Sequence, residues 1–168
     1  QAMKDSGKYP QLPRDEQDDV PYVPETVVAD GAAVVVLAVG GRARELTSTP
    51  VWIRGIDHRI EPPALGVRDL TSSPSTETAA RVAGAVDVDA AFLHVPYPHQ
   101  ELVLRAALGL EGQAVHSASG PTMVGGLERF AAAAAAITAG DVRRAVAHAT
   151  SGPCLQQNLV ALLEGNAA

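Results

Sequence analysis

The apolar residues of this chain come in blocks whose spacing changes along its length. Residues 32–39, "AAVVVLAV", follow Asp30-Gly31 and are apolar without interruption. An unbroken run of small and β-branched side chains predicts a strand covered on both faces, because a half-exposed strand alternates. Residues 40–49 are polar and predict a turn or a short helix. "PVWIRGIDHRI" (50–60) alternates enough to predict a second strand with one wetter face. Ser73-Pro74 marks a helix start, with Ser as N-cap and Pro at the first position, and the helix is expected over roughly Ser75 to Ala85. "VDAAFLHV" (88–95) reads as a third strand and "HQELVLRAALGL" (99–110) as an amphipathic helix ending near Gly109.

The next block is unlike the others. "VHSASGPTMVGGLERFAAAAAAITAG" (115–140) is a glycine-punctuated loop running into a helix that begins near Gly126 and contains six successive alanines, Ala131 to Ala136. A helix that is small and apolar nearly all the way round is expected to be buried on most sides. Alanine costs no side-chain entropy there and lets a sheet approach closely. "VRRAVAHAT" and "LQQNLVALLEG" then predict two closing strands around an "SGPC" turn. The expected order β, β, α, β, α, α, β, β gives an α/β fold with a mixed sheet and crossover connections.

Composition narrows this picture. The chain of 168 residues is 46% hydrophobic but only 4% aromatic, so its core must be made of Ala, Val and Leu. That length is one domain, or one domain with an arm. Residues 1–28 read as an extended polar arm broken by Pro10, Pro13, Pro21 and Pro24, and residues 29–168 as the folded domain. A net charge of −6 without a Lys/Arg cluster argues against nucleic acid or an anionic membrane as partner. Cys154 is alone, which excludes a disulfide framework and a cysteine metal site. Neither a signal peptide nor a membrane span is expected, and the default location is cytoplasmic.

Several residues are candidates for chemistry. The loop from Gly120 through Pro121 to Gly125 and Gly126 has the form of a helix N-terminus with free backbone N–H groups, suited to an oxyanion or a phosphate. The plainer reading is that these glycines let a buried helix start close to a sheet. His116 is the imidazole placed for oxyanion stabilisation or proton transfer. Tyr97 and His94 bracket the exit of the third strand, the edge where α/β sheets place active sites. Tyr97 can move a proton to or from an aldol oxygen if neighbours lower its pKa, and otherwise packs. His148 precedes the small-residue turn Ser151-Gly152, which is expected to face a pocket. His99 and His58 read as surface residues, and Cys154 as a small buried hydrophobe rather than a nucleophile. No metal-ligand spacing is present.

Four stretches, in order, resemble the C-terminal half of the thiolase superfamily, above all the sterol-carrier-protein-type thiolases and related CoA-dependent aldolases. "ADGAAVVVLA" is similar to the phrase that opens that half. "VDVDAAFLHVPYPHQELVLRAALGL" resembles its strand, active-site loop and helix, and residues 115–140 its loop and buried central helix, with Gly126 and Arg129 in step. "VAHATSGPCLQQNLVALLEG" resembles its closing hairpin, so the likeness spans about residues 29–165. It implies a thiolase-like half: a mixed β-sheet with helices on both faces and a buried Ala-rich central helix.

The likeness also implies an acyl-CoA thioester as substrate, with no metal or prosthetic group in this chain. The implied partner is a second thiolase-like subunit supplying the N-terminal half, sometimes joined by a zinc-ribbon/OB-fold protein. The departures are specific. The family's nucleophilic cysteine belongs to the other half; Gly120-Pro121 stands where a His-Pro pair is usual; the second catalytic cysteine is missing from the last hairpin. Loss of the cysteines favours aldol-type over Claisen-type chemistry, with His116, Tyr97 and His148 as catalytic candidates and Gly120, Pro121, Gly125, Ser151 and Gly152 lining the substrate. The alternative is a catalytically inactive half that completes a complex.

Overall fold

The structure is a computed structural model that describes residues 31–64, 66–118, 123–152 and 154–166. The elements run α1 (Gly40–Leu46), β1 (Trp52–Ile60), α2 (Pro74–Ala83), β2 (Ala90–His94), α3 (Gln100–Leu108), β3 (Ala114–Ala118), α4 (Gly125–Ala139), β4 (Arg144–Ser151) and β5 (Gln157–Glu164). The strands form one five-stranded mixed sheet in the order β1-β5-β4-β2-β3. β3, β2 and β4 are parallel, while β5 is antiparallel to both β4 and β1. The polar arm expected over residues 1–28 lies outside the described residues.

Alternation within β4 sorts the two faces of the sheet. Ala145 and Ala147 point to one side, with Ala90, Phe92, Ala161 and Leu163, and meet Ala133 and Ile137 of α4. Val146 points to the other, with Leu93, Val95, Val160 and Leu162, and meets Ala79, Ala80 and Ala83 of α2 and Leu104 of α3. Fully burying a side chain such as Leu93 or Leu104 contributes about 1.5–3 kcal/mol. The α4 face is rich in alanine, with Ala90, Ala133, Ala145, Ala147 and Ala161, so backbones come close there. A Cβ on Gly126 would lie only 2.5 Å from Ala149 Cβ. Gly126→Ala is therefore expected to push α4 off β4 and cost about 1–2 kcal/mol net, overpacking exceeding the gain in helix propensity. Urea denaturation measures this, and an unchanged midpoint would show that α4 shifts freely.

Two further contacts tie the ends of the sheet. Asp89 Oδ2 accepts the backbone N–H groups of Arg143 and Arg144, both at 2.8 Å, joining the starts of β2 and β4. Those two backbone hydrogen bonds, Arg144's first, hold the Asp89 carboxyl below its usual range. At the opposite edge Gly55 sits at a β-bulge where a Cβ would lie 2.1 Å from the carbonyl oxygen of Ala83, so α2 packs directly on the β1 backbone.

The structure departs from the sequence reading in four places. Residues 31–39, expected as a covered strand, form no strand and are largely exposed. A strand needs a ladder partner, and none of the described strands pairs with this stretch. Residues 114–118, expected to open a loop, form the edge strand β3, whose mixed and exposed side chains carry no apolar period. Helix α4, expected to be buried on most sides, buries only Gly125, Ala133 and Ile137 fully. Cys154, expected to be buried, is exposed, and its neighbour Leu155 fills the core instead.

Candidate functional site

The parallel strands β3, β2 and β4 end together, and three connections leave from that edge: the 95–99 loop, the segment leading into α4, and the β4–β5 turn. This is the crevice at which open α/β sheets bind ligands. His94, the last residue of β2, is buried there, and a Cβ on Gly126 would lie 4.0 Å from its Nδ1. The ring therefore sits under the first turn of α4. Gly125, the first residue of α4, is buried, whereas Gly120 and Pro121 lie outside the described residues.

His148 occupies the opposite face of the sheet and is completely buried. Its Nε2 lies 3.1 Å from Asn158 Oδ1. The Asn158 amide nitrogen donates to Ser75 Oγ at 2.8 Å and to the Leu155 carbonyl at 2.7 Å, with Ser73 Oγ at 3.5 Å. Ser73 Oγ in turn meets Thr76 Oγ1 at 2.7 Å. Nδ1 of His148 faces the His94 backbone at a geometry short of a full hydrogen bond. Burial lowers the His148 pKa to about 4, outweighing the Asn158 hydrogen bond that favours the imidazolium. At neutral pH the ring is uncharged and acts as a polar strut between β4, β5 and the start of α2.

The strut also shapes the turn beyond it. Cys154 and Leu155 both adopt left-handed torsions, φ 52° and 56°, which cost a non-glycine residue roughly 1 kcal/mol or more each. The Leu155 carbonyl is held by Asn158 from the core and the Cys154 carbonyl by Arg68 Nη1 at 2.9 Å from the loop before α2, so both strained peptides are clamped. Ser151 and Gly152 are exposed at the mouth of this turn.

The other imidazoles and the tyrosine lie apart from the strut. His116 is a strand residue of β3 rather than a loop residue; it is exposed and stacks on Phe92, centroids 4.7 Å apart at 18°. Its neighbour Ser117 points its hydroxyl at Glu101, which also receives Arg105 Nε at 2.8 Å. Tyr97 is half-exposed beside His99, ring centroids 5.9 Å apart. The edge thus offers one half-exposed phenol and two exposed imidazoles, His99 and His116, while His148 is locked inside. Asn158, which organises that lock, was not singled out from sequence. Its signal is the hairpin register, which sets His148 opposite Val160 and so brings residue 158 within diagonal reach.

Among the described residues no three His, Cys, Asp or Glu side chains gather as metal ligands, and no helix is long and apolar enough to cross a membrane. No family model matches the sequence, and no curated protein matches it. Among solved structures the chain is similar to a monomeric SCP2-thiolase-like protein type 1 from Mycobacterium smegmatis, with a TM-score of 0.58 and 22% identity. The match takes in 70% of this chain and 30% of that one, so the chain spans well under half of the protein it matches. The mixed five-stranded sheet, helices on both of its faces and this likeness together make the fold thiolase-like.

Proposed function

We propose that this chain is the C-terminal half of a thiolase-like assembly acting on acyl-CoA thioesters, where it helps make or break the carbon–carbon bond next to the thioester. The observation that carries the reading is the match to less than a third of an SCP2-thiolase-like protein, on a chain whose central helix buries only Gly125, Ala133 and Ile137 fully. The missing half is a second thiolase-like body, from another subunit or from the same longer chain.

In the retro-aldol direction a base takes the proton of the β-hydroxyl group. The bond between the α and β carbons then breaks, the electron pair passes to the thioester as an enolate, and a proton returns to the α carbon. Tyr97 is the residue at this edge for the hydroxyl proton, and His116 the imidazole for the enolate oxygen or the returning proton. No acyl-enzyme is needed, which suits a half whose single cysteine lies in a turn. The second reading, an inactive half that completes a complex, is favoured by one observation: His148 is engaged in a buried strut rather than turned to solvent.

Co-purification with the products of the flanking reading frames, followed by assays on 3-hydroxyacyl-CoA and 3-oxoacyl-CoA, separates the two. In the active reading Tyr97→Phe and His116→Gln each lower kcat by about 100-fold or more with the assembly intact. An intact assembly that turns over neither thioester, or whose rate ignores both substitutions, establishes the inactive half.

A further inference from the structure

Helix α4 carries two charged residues side by side, and they diverge. Arg129 lies four residues beyond Gly125 and four before Ala133, with Ile137 four further on, so it belongs to the stripe that α4 buries against the sheet. Glu128, the one carboxylate on α4, is turned from that stripe: its Oε1 lies 3.7 Å from where a Cβ on Gly31 would stand. Arg129 is half-buried, its Nε is buried without a hydrogen-bond partner, and none of the ion pairs among the described residues includes it. A helical side chain leans back over the residues three and four before it. For Arg129 these are Gly126 and Gly125, which have no side chain to stand in the way, and the His94 ring sits under that same turn. The lean carries the guanidinium toward the crevice where β3, β2 and β4 end. A guanidinium keeps its charge when buried, and leaving that charge without an anion is costly.

We propose that Arg129 is a catalytic residue of this site, its guanidinium holding the thioester oxygen as that oxygen takes up negative charge. The inference rests on the acyl-CoA reading above and names the group that stabilises the enolate. When the base has taken the β-hydroxyl proton, the bond between the α and β carbons breaks and its electron pair passes through the α carbon to the thioester oxygen. Arg129 donates N–H groups to that oxygen and balances its charge. The α carbon then receives its proton, the carbonyl re-forms, and the guanidinium is unpaired again. His116 is left with the returning proton. A cation fixed in place before the charge develops, and screened from water on one side, is the arrangement that favours such an intermediate most. A carboxylate of the complementary half is the other anion to consider, but it would meet α4 on the outward face with Glu128, whereas Arg129 lies on the sheet side.

The test binds a 3-oxoacyl-CoA, whose α carbon can lose a proton to give an enolate with its own near-ultraviolet absorption band. The band is titrated for the free thioester and for the thioester bound to the assembly co-purified with the products of the flanking reading frames. The variants are Arg129→Gln and, keeping the charge, Arg129→Lys. In the wild-type assembly the band is expected at a pH lower by about one unit or more than for the free thioester. Arg129→Gln abolishes the shift and Arg129→Lys keeps part of it. On 3-hydroxyacyl-CoA, Arg129→Gln lowers kcat by about 100-fold and leaves KM within about threefold. The chain alone with Arg129→Gln unfolds at a urea midpoint equal to or above that of wild type, because an unpaired buried charge has gone. A lower midpoint, or an assembly that no longer forms with Arg129→Gln, makes the guanidinium a structural contact and overturns the proposal. A thioester bound without the shift, or a shift that Arg129→Gln retains, overturns it and leaves the acyl-CoA reading standing. An assembly that binds no thioester overturns both.

Discussion

Replacing Asn158 by Ala is expected to lower the unfolding free energy by about 3–5 kcal/mol, a large share of what a domain of this size has to lose. The side chain is fully buried and serves partners from three directions: His148 Nε2 on β4, Ser75 Oγ on α2 and the Leu155 carbonyl in the turn. Removing it orphans all three where water cannot reach. Each buried unsatisfied group costs about 1–3 kcal/mol, and members of one network do not add independently. The Leu155 carbonyl matters most for shape, because its residue is held in the left-handed region and loses one of its clamps. Asn158→Leu, which keeps the volume and drops the hydrogen bonds, should cost a similar amount. Urea denaturation of both variants decides the matter: a loss below about 1 kcal/mol would show that the network is decorative.

Acid is expected to act on the same strut. The His148 imidazole has a pKa of about 4 in the folded protein against 6.5 for the free side chain. The folded value is the lower of the two, so between pH 6.5 and 4 the unfolded chain takes up a proton that the folded chain refuses. Stability is therefore complete above pH 6.5 and declines as pH falls through that window, by on the order of 3 kcal/mol at pH 4. The groups acting on the ring are His94 from β2 and Asn158 from β5, with the hydroxyls at the start of α2 reached only through Asn158, and no carboxylate acts on the ring to stabilise an imidazolium. The carboxylates of Asp89 and Glu101, depressed chiefly by the Arg144 backbone N–H and the Ser117 hydroxyl, lose their contribution at still lower pH, below their ordinary values of 3.8 and 4.5. Only the upper end of the Glu101 window, just below 4.5, overlaps the foot of the His148 window. His148→Gln should flatten the curve between pH 6.5 and 4 and leave the acid limb below it. Parallel curves for wild type and variant would place the titration elsewhere.

These expectations turn on contacts that sequence patterns could reach only in part. The strands around 52–60, 90–94, 144–151 and 157–164 were legible because alternation or an unbroken apolar run sets them off from their flanks. Helix α2 was legible from Ser73-Pro74, although the Ser73 side chain bonds Thr76 Oγ1 instead of capping a backbone N–H. β3 was not legible: "AVHSA" is short, polar and exposed, and it becomes a strand through its parallel register with β2 alone. Residues 32–39 failed in the opposite sense. Their unbroken apolar run suits a strand covered on both faces, yet none of the described strands pairs with them. For the site, the sheet edge followed from topology, whereas the depth of His148 did not. That depth depends on which face of β4 carries valine and which alanine, and on the asparagine placed across the hairpin.

Strand order also has a consequence for how the chain is made. β1 pairs with β5, which leaves the ribosome roughly a hundred residues later, and Trp52 Nε1 is met by Asn166 Oδ1 only after the last strand is out. At bacterial or eukaryotic elongation rates β1 waits on the order of ten seconds with its isoleucines and its whole hydrogen-bonding edge bare. Through that interval the nascent chain is a natural client for holdase chaperones, and premature termination anywhere before residue 157 releases an open-edged, aggregation-prone fragment rather than a smaller folded domain.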